Sequence, residues 1–137
     1  MTEDARFQTE IPIRYRDLDP ENHVNNAVYG TYIEAARTNY IDAVIGDSVI
    51  ESGLVIAHLE IDYRRPITLD DESVAITVET TDIGDSSVTM SFELATAAGI
   101  AATGASVLVT VDDNGKPRSI PEEWHDRIRQ FEPALDQ

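Results

Sequence analysis

The sequence predicts an α+β domain of two layers, a five-stranded antiparallel sheet wrapped around one long helix. Three observations carry that prediction. Residues 27–45 form one long stretch with helical apolar spacing. Past Gly53, apolar residues recur at every second position through four successive stretches. Tight turns separate the last three, which makes them antiparallel hairpin strands.

The elements follow in order. Residues 7–16 read as a first strand, with Phe7, Ile11, Ile13 and Tyr15 on one face. Pro12 cannot donate to a ladder and marks an edge or a bulge. Residues 17–26 are a polar loop. Over 27–45, Tyr29, Ile33, Ala36, Tyr40 and Val44 make a helical stripe. Val28, Tyr32, Ala35, Ile41 and Ile45 make a second face apolar, so the helix is expected to be mostly buried. Asn25 or Asn26 serves as N-cap and Gly46 as the stop. Strands follow at 54–63, 73–80, 88–94 and 100–111, with turns at Gly84-Asp85 and Ala98-Gly99. The Arg64-Arg65-Pro66 run ends the first of these strands. Asp113-Asn114-Gly115 closes the last with strong turn chemistry. Its small residues (Ala101, Ala102, Gly104, Ala105, Ser106) suit tight helix–sheet contact or a subunit interface. Pro121 opens a short amphipathic helix to about Phe131, and the end is polar and frayed. No repeat or linker divides the chain, so residues 1–137 form a single domain.

Charge is the outlier. Twenty-six acids face ten bases, for a formal net charge of −16 over 137 residues. The acids are spread through turns and helices instead of forming one tail. Such a field repels phosphates, which excludes nucleic acid as a partner. Spread acidity is the pattern of a protein adapted to a salty cytosol, because ~1 M salt shortens the Debye length to ~3 Å and relieves self-repulsion. With no cysteine, no transmembrane run and no secretory pattern, the expected setting is cytoplasmic. Three histidines (23, 58, 125) without cysteine make no metal-ligand spacing, and no cofactor signature is present. His58 is expected to be structural and His125 solvated.

Reactive groups concentrate in the loop before the long helix. It holds Asp17, Asp19, Glu21, Asn22, His23, Asn25 and Asn26, and delivers them to a helix N-terminus. The pattern Asp17-Leu-Asp-Pro-x-x-His-Val-Asn-Asn-x-x-Tyr29, with Glu34-x-x-Arg37 behind it, resembles the hotdog-fold acyl-CoA thioesterases of the 4-hydroxybenzoyl-CoA thioesterase type. Tyr63-Arg-Arg-Pro66 and the Asp70-Asp71-Glu72 turn resemble that family's second marker, and strand order and helix length agree over nearly the whole chain.

The resemblance implies hydrolysis of an acyl-CoA to free acid and CoA without a cofactor, in a homodimer or tetramer whose sheets join edge to edge. By position, Asp19 matches the catalytic carboxylate. Asn26 marks the helix start whose backbone N–H polarises the thioester carbonyl. Asp19 either attacks to form an anhydride or draws a proton from water, and His23 binds the thioester, positions water or protonates the thiolate. Asp17 and Asn25 hold the loop in shape, and Glu34 either supports the site or pairs with Arg37. Arg64 and Arg65 are first candidates to contact the CoA phosphates, with Lys116 and Arg118 second. The chain departs from the family's pattern at Glu21 and at Asn22, where bacterial relatives often have Gly. An extra carboxylate near the site either shifts its ionisation or repels an acidic substrate. Two other readings fit a hotdog domain: a hydratase or dehydratase of enoyl or hydroxyacyl thioesters, and an acyl-CoA-binding domain without turnover.

Overall fold

In the computed structural model, residues 6–46 and 53–136 are described. Five strands and two main helices run in the expected order: β1 (Phe7–Pro12), α1 (Asn26–Val44), β2 (Leu54–Tyr63), β3 (Ser73–Ile83), β4 (Ser87–Thr96), β5 (Gly99–Thr110) and α2 (Glu122–Phe131). The strands form one antiparallel sheet ordered β1-β3-β4-β5-β2. Pro12 therefore sits on an edge strand, where its missing N–H costs nothing. The inward residues of the central strands alternate along the chain, and Val74, Ile76, Val78, Met90, Phe92 and Leu94 are all buried. They close over the α1 stripe of Tyr29, Ile33, Ala36, Tyr40 and Val44. This is the hotdog arrangement. Truncating a fully buried stripe residue such as Ile33 to Ala would cost ~2–5 kcal/mol. At Gly104 a Cβ would lie 2.9 Å from the Glu60 carbonyl and 3.2 Å from Ile33 Cδ1, so this small residue serves tight helix–sheet contact.

Several elements differ from the sequence reading. The first strand stops at Pro12 instead of Arg16. The Asp17 carboxylate accepts the Arg14 N–H at 2.9 Å, and the Asp17 N–H donates to the Arg14 carbonyl, which winds Tyr15–Asp17 into a 3-10 turn. Tyr15, expected inward, is 80% exposed. Within the stretch expected to be frayed, Pro133–Asp136 form another 3-10 turn, and Glu132 is buried against α1 and β3. Its Oε2 accepts the Tyr40 hydroxyl at 2.7 Å and the Thr80 N–H at 2.9 Å. His58 is exposed and pairs with Glu60 at 2.9 Å, and His125 is half-buried instead of solvated.

The largest difference lies on one side of α1. The helix packs on β1 and β3, so its opposite flank stays open, and Thr31, Glu34 and Thr38 are exposed. The β2 strand faces that open flank. Its apolar residues slip register, with Leu54 and Ile56 before Leu59, Ile61 and Tyr63, and a bulge between Ile56 and His58 absorbs the slip. A bulge adds one residue and restores the facing. Val55, Ile56, Leu59 and Tyr63 remain exposed along this edge.

Candidate active site

The loop ahead of α1 is held from both ends. Asp17 is buried, and its Oδ2 also accepts the Tyr32 hydroxyl from α1 at 2.8 Å. Arg14 Nε lies 3.9 Å from the other oxygen. The Asp17 carbonyl accepts the Asn25 N–H at 2.9 Å. Burying a carboxylate is costly unless donors surround it, and these donors do. Burial, and then the Asp17 carboxylate beside it, push the Tyr32 phenol well above its ordinary pKa, so it stays a donor. Val24 is buried and its N–H donates to the Ile67 carbonyl.

Asp19 sits in a tight turn of its own making. Its Oδ1 accepts the N–H groups of Glu21 at 2.8 Å and His23 at 3.2 Å. The Asp19 N–H donates to the His23 carbonyl, and the Asn22 N–H to the Asp19 carbonyl. One carboxylate oxygen is thereby clamped, and Oδ2 accepts no hydrogen bond among the described residues. The turn closes through Asn22, whose φ is 67°. That left-handed conformation suits Gly best and Asn next. It explains why Asn stands where Gly is common in the resembling family.

The helix start offers the complementary charge. Asn25 is the N-cap, and its side chain accepts the Ala27 N–H at 2.9 Å. The Asn26 N–H has no partner among the described residues. No acid occupies the first turn of α1, so the positive end of its dipole is not neutralised there. Asp19, His23, Asn26, Arg64 and Arg65 line a single cleft of about 390 Å³ together with Tyr63. The sequence therefore named five residues that the fold collects from two separate segments.

The remaining candidates lie elsewhere. Asp17 is behind the cleft, and Asn25 caps the helix. Glu34 is two turns along α1 and lines a different groove with Arg37. Arg37 is buried, which lowers its pKa, with Glu34 opposing that shift. Glu21 contributes its backbone to the Asp19 clamp, but its side chain lines a neighbouring cleft with Tyr15, Leu69 and Asp70, on the other side of His23. The two arginines also divide. Arg65 Nη1 donates to the Ala98 carbonyl at 2.7 Å and braces the β4–β5 turn. The Arg64 guanidinium makes no hydrogen bond or ion pair among the described residues. Lys116 and Arg118 lie outside the cleft, beyond β5.

Sequence reasoning missed Tyr63 as a site residue. Its hydroxyl donates to the Asn26 carbonyl at 3.0 Å, and its ring meets Tyr29 edge-on with centroids 4.8 Å apart. It thus pins the helix start to the end of β2. The available signal was an aromatic residue ending a strand directly before Arg64. Tyr29, expected in the core, is buried, and burial raises its pKa; its hydroxyl points to the Arg65 carbonyl at 3.4 Å.

Over 68 residues, 47% of this chain, the sequence is 35% identical to the long-chain acyl-CoA thioesterase FadM of Escherichia coli (strain K12). The match spans about half of that relative, 52% of its length. A thioesterase from Thermus thermophilus, solved with coenzyme A and zinc, superposes with a TM-score of 0.83 at 39% identity, covering 92% of this chain and 93% of that one. Among the described residues here, no group of three or more metal-ligating side chains offers a place for such an ion. The predicted thioesterase of Bacillus stearothermophilus superposes equally well, with a TM-score of 0.83 at 27% identity over 92% of this chain and 96% of that one. Residues 13–128 match the family model of the thioesterase-like superfamily, and the chain belongs to that superfamily.

Proposed function

We propose that this chain hydrolyses acyl-CoA thioesters, with Asp19 delivering the nucleophile and the start of α1 polarising the carbonyl. One observation carries the reading: a carboxylate oxygen without a partner shares a cleft with a helix N–H without a partner. Thioester hydrolysis needs those two things, a nucleophile and a donor for the oxygen that gains negative charge. Superfamily membership and likeness to FadM and to a CoA-bound thioesterase support it.

The steps follow from the placement. The thioester carbonyl accepts the Asn26 N–H. Asp19 Oδ2 either attacks the carbonyl carbon, giving an anhydride that water then opens, or takes a proton from a water that attacks instead. In both routes the tetrahedral intermediate collapses by breaking the C–S bond. His23, on the cleft wall, relays to the leaving thiolate the proton that the water gives up in either route, which returns Asp19 to its carboxylate and His23 to its starting state. The clamp on Oδ1 fixes the carboxylate's direction without using the reactive oxygen. Arg64 is the cation offered to the CoA phosphates, since Arg65 is committed to Ala98. The exposed apolar edge of β2 is the surface through which a second copy joins, as unprotected sheet edges invite pairing.

Thiol release from a panel of acyl-CoAs in high salt tests the proposal. Asp19→Asn lowers kcat by ~10²-fold or more. A variant as fast as wild type removes Asp19 from the chemistry. Water addition to an enoyl-CoA without thiol release replaces hydrolysis with the hydratase reading.

A further inference from the structure

We propose that two copies of this chain lay their α1 helices antiparallel, so that Arg37 of each pairs with Glu34 of the partner subunit. This rests on the reading above that a second copy joins along β2, and it names the contact that holds the two helices.

The starting observation is a buried cation without a partner. Arg37 is only 6% exposed. Its guanidinium makes no hydrogen bond and no ion pair among the described residues. A charge taken out of water is costly unless it is paired. Burial accordingly lowers the Arg37 pKa, and Glu34 opposes that shift. Glu34 stands three residues earlier on the same helix, a spacing at which acid and base commonly meet. Yet the two form no ion pair with each other, and Glu34 is exposed. Both line one groove of about 360 Å³, together with Thr38, Ile41, Leu54 and Ile56. Acid and base thus open onto the same space without closing on each other.

The setting of the groove indicates what fills it. One wall is the uncovered flank of α1, where Thr31, Glu34 and Thr38 are exposed, and the other is the start of β2. The same strand leaves Val55, Ile56, Leu59 and Tyr63 exposed. An apolar edge supplies the drive for association, and a charge beside it fixes the register. A two-fold contact is self-complementary, so residue i meets j where j meets i. An acid and a base on one helix face satisfy that condition when the helices run antiparallel and cross between them. Such a crossing falls close to the middle of α1 (Asn26–Val44) and forms two ion pairs at once. Asp42 also lines the groove. A crossing that paired it with Arg37 would set Glu34 against Ile45 of the partner subunit, a carboxylate on an apolar side chain.

The test compares wild type, Glu34→Arg and Arg37→Glu by sedimentation in high salt, with thermal melting to confirm that each folds. Either reversal alone sets like charges across the two-fold. The dimer Kd then rises ~10²-fold or more, since breaking a desolvated pair is costly and symmetry counts the loss twice. An equal mixture of the two variants regains association close to wild type, because each base again faces an acid across the contact. Should a reversal fail to fold, Glu34→Gln and Arg37→Gln carry the same test, and their mixture regains one of the two pairs. Single variants that associate like wild type overturn the pairing. So does a mixture that stays apart while Glu34→Arg/Arg37→Glu on one chain associates, which would place the pair within the chain. Failure of the joining reading itself looks different: wild type then sediments as a single chain, and the pairing falls with it.

Discussion

Replacing Tyr32 with Phe isolates one bond on which the loop depends. The Tyr32 hydroxyl donates to Asp17 Oδ2 at 2.8 Å, with both residues almost entirely buried. Phenylalanine keeps the ring, so no cavity opens and the change removes a single donor. A hydrogen bond to a charged group contributes ~1.5–3 kcal/mol. Asp17 keeps the Arg14 N–H at 2.9 Å, which places the loss near ~2 kcal/mol. For a domain of this size that lowers Tm by ~6–8 °C. The assay is thermal unfolding of both proteins in the same high-salt buffer. The sign of the pH dependence is also set. Burial and Asp17 raise the Tyr32 pKa above its ordinary 10.0, so the bond's contribution is complete below that value and is lost only as pH rises through the raised one. The Tm difference therefore stays constant from mildly acidic to mildly alkaline buffer. A shift below ~1 °C, or additive effects of Tyr32→Phe and Asp17→Asn in a double-mutant cycle, would refute the reasoning.

Three further outcomes follow. At Asn22, φ 67° means that Asn22→Gly leaves turnover near wild type, while Asn22→Val costs ~1–3 kcal/mol of backbone strain and lowers kcat more than it raises KM; steady-state kinetics on both variants checks this, and equal kinetics would dissociate the turn from Asp19. Burial raises the Glu132 pKa above its ordinary 4.5, Thr80 and Tyr40 oppose that by donating to the charged form, Glu79 raises it and Arg6 lowers it. Its contribution is therefore present below that ordinary value and lost as pH rises through the raised one. Glu132→Gln keeps an acceptor for both donors, so wild type loses ground to it in melts between acid and neutral pH; a constant difference across that range would exclude Glu132 as the cause. Finally, a net charge of −16 is screened at ~3 Å in ~1 M salt against ~10 Å in 0.1 M, and Tm rises steeply with KCl; equal melting in dilute and molar salt would count against salt adaptation.

Much of the site was readable because its chemistry is local in sequence. Asp19, His23 and Asn26 stand within one loop, and a helix start after Asn25 follows from capping chemistry. Asn22 and Glu21 were visible only as departures from a pattern. Their explanation is a backbone matter, a left-handed residue and two N–H groups folded onto Asp19, and composition does not report dihedral angles. For Glu34 the choice between supporting the site and pairing with Arg37 stayed open for a related reason. Spacing put it on the right helix, but which flank of α1 the sheet leaves open depends on where β1, β3 and β2 lie.

By itself the sequence determined the order, type and approximate extent of the elements, since apolar periods of two and of 3.6 residues are properties of neighbours along the chain. Even there, its errors lay at ends, where long-range partners decide. Glu132 is tied down by Tyr40 and Thr80, far from it in sequence, and β1 stops where Asp17 turns back on Arg14. Only the tertiary structure decided that Arg64 and Arg65 reach the Asp19 cleft, that Tyr63 latches the helix start, and that Arg64 and Arg65 differ in commitment. Each depends on the distance between residues dozens of positions apart, and that distance is set by the packing of whole elements.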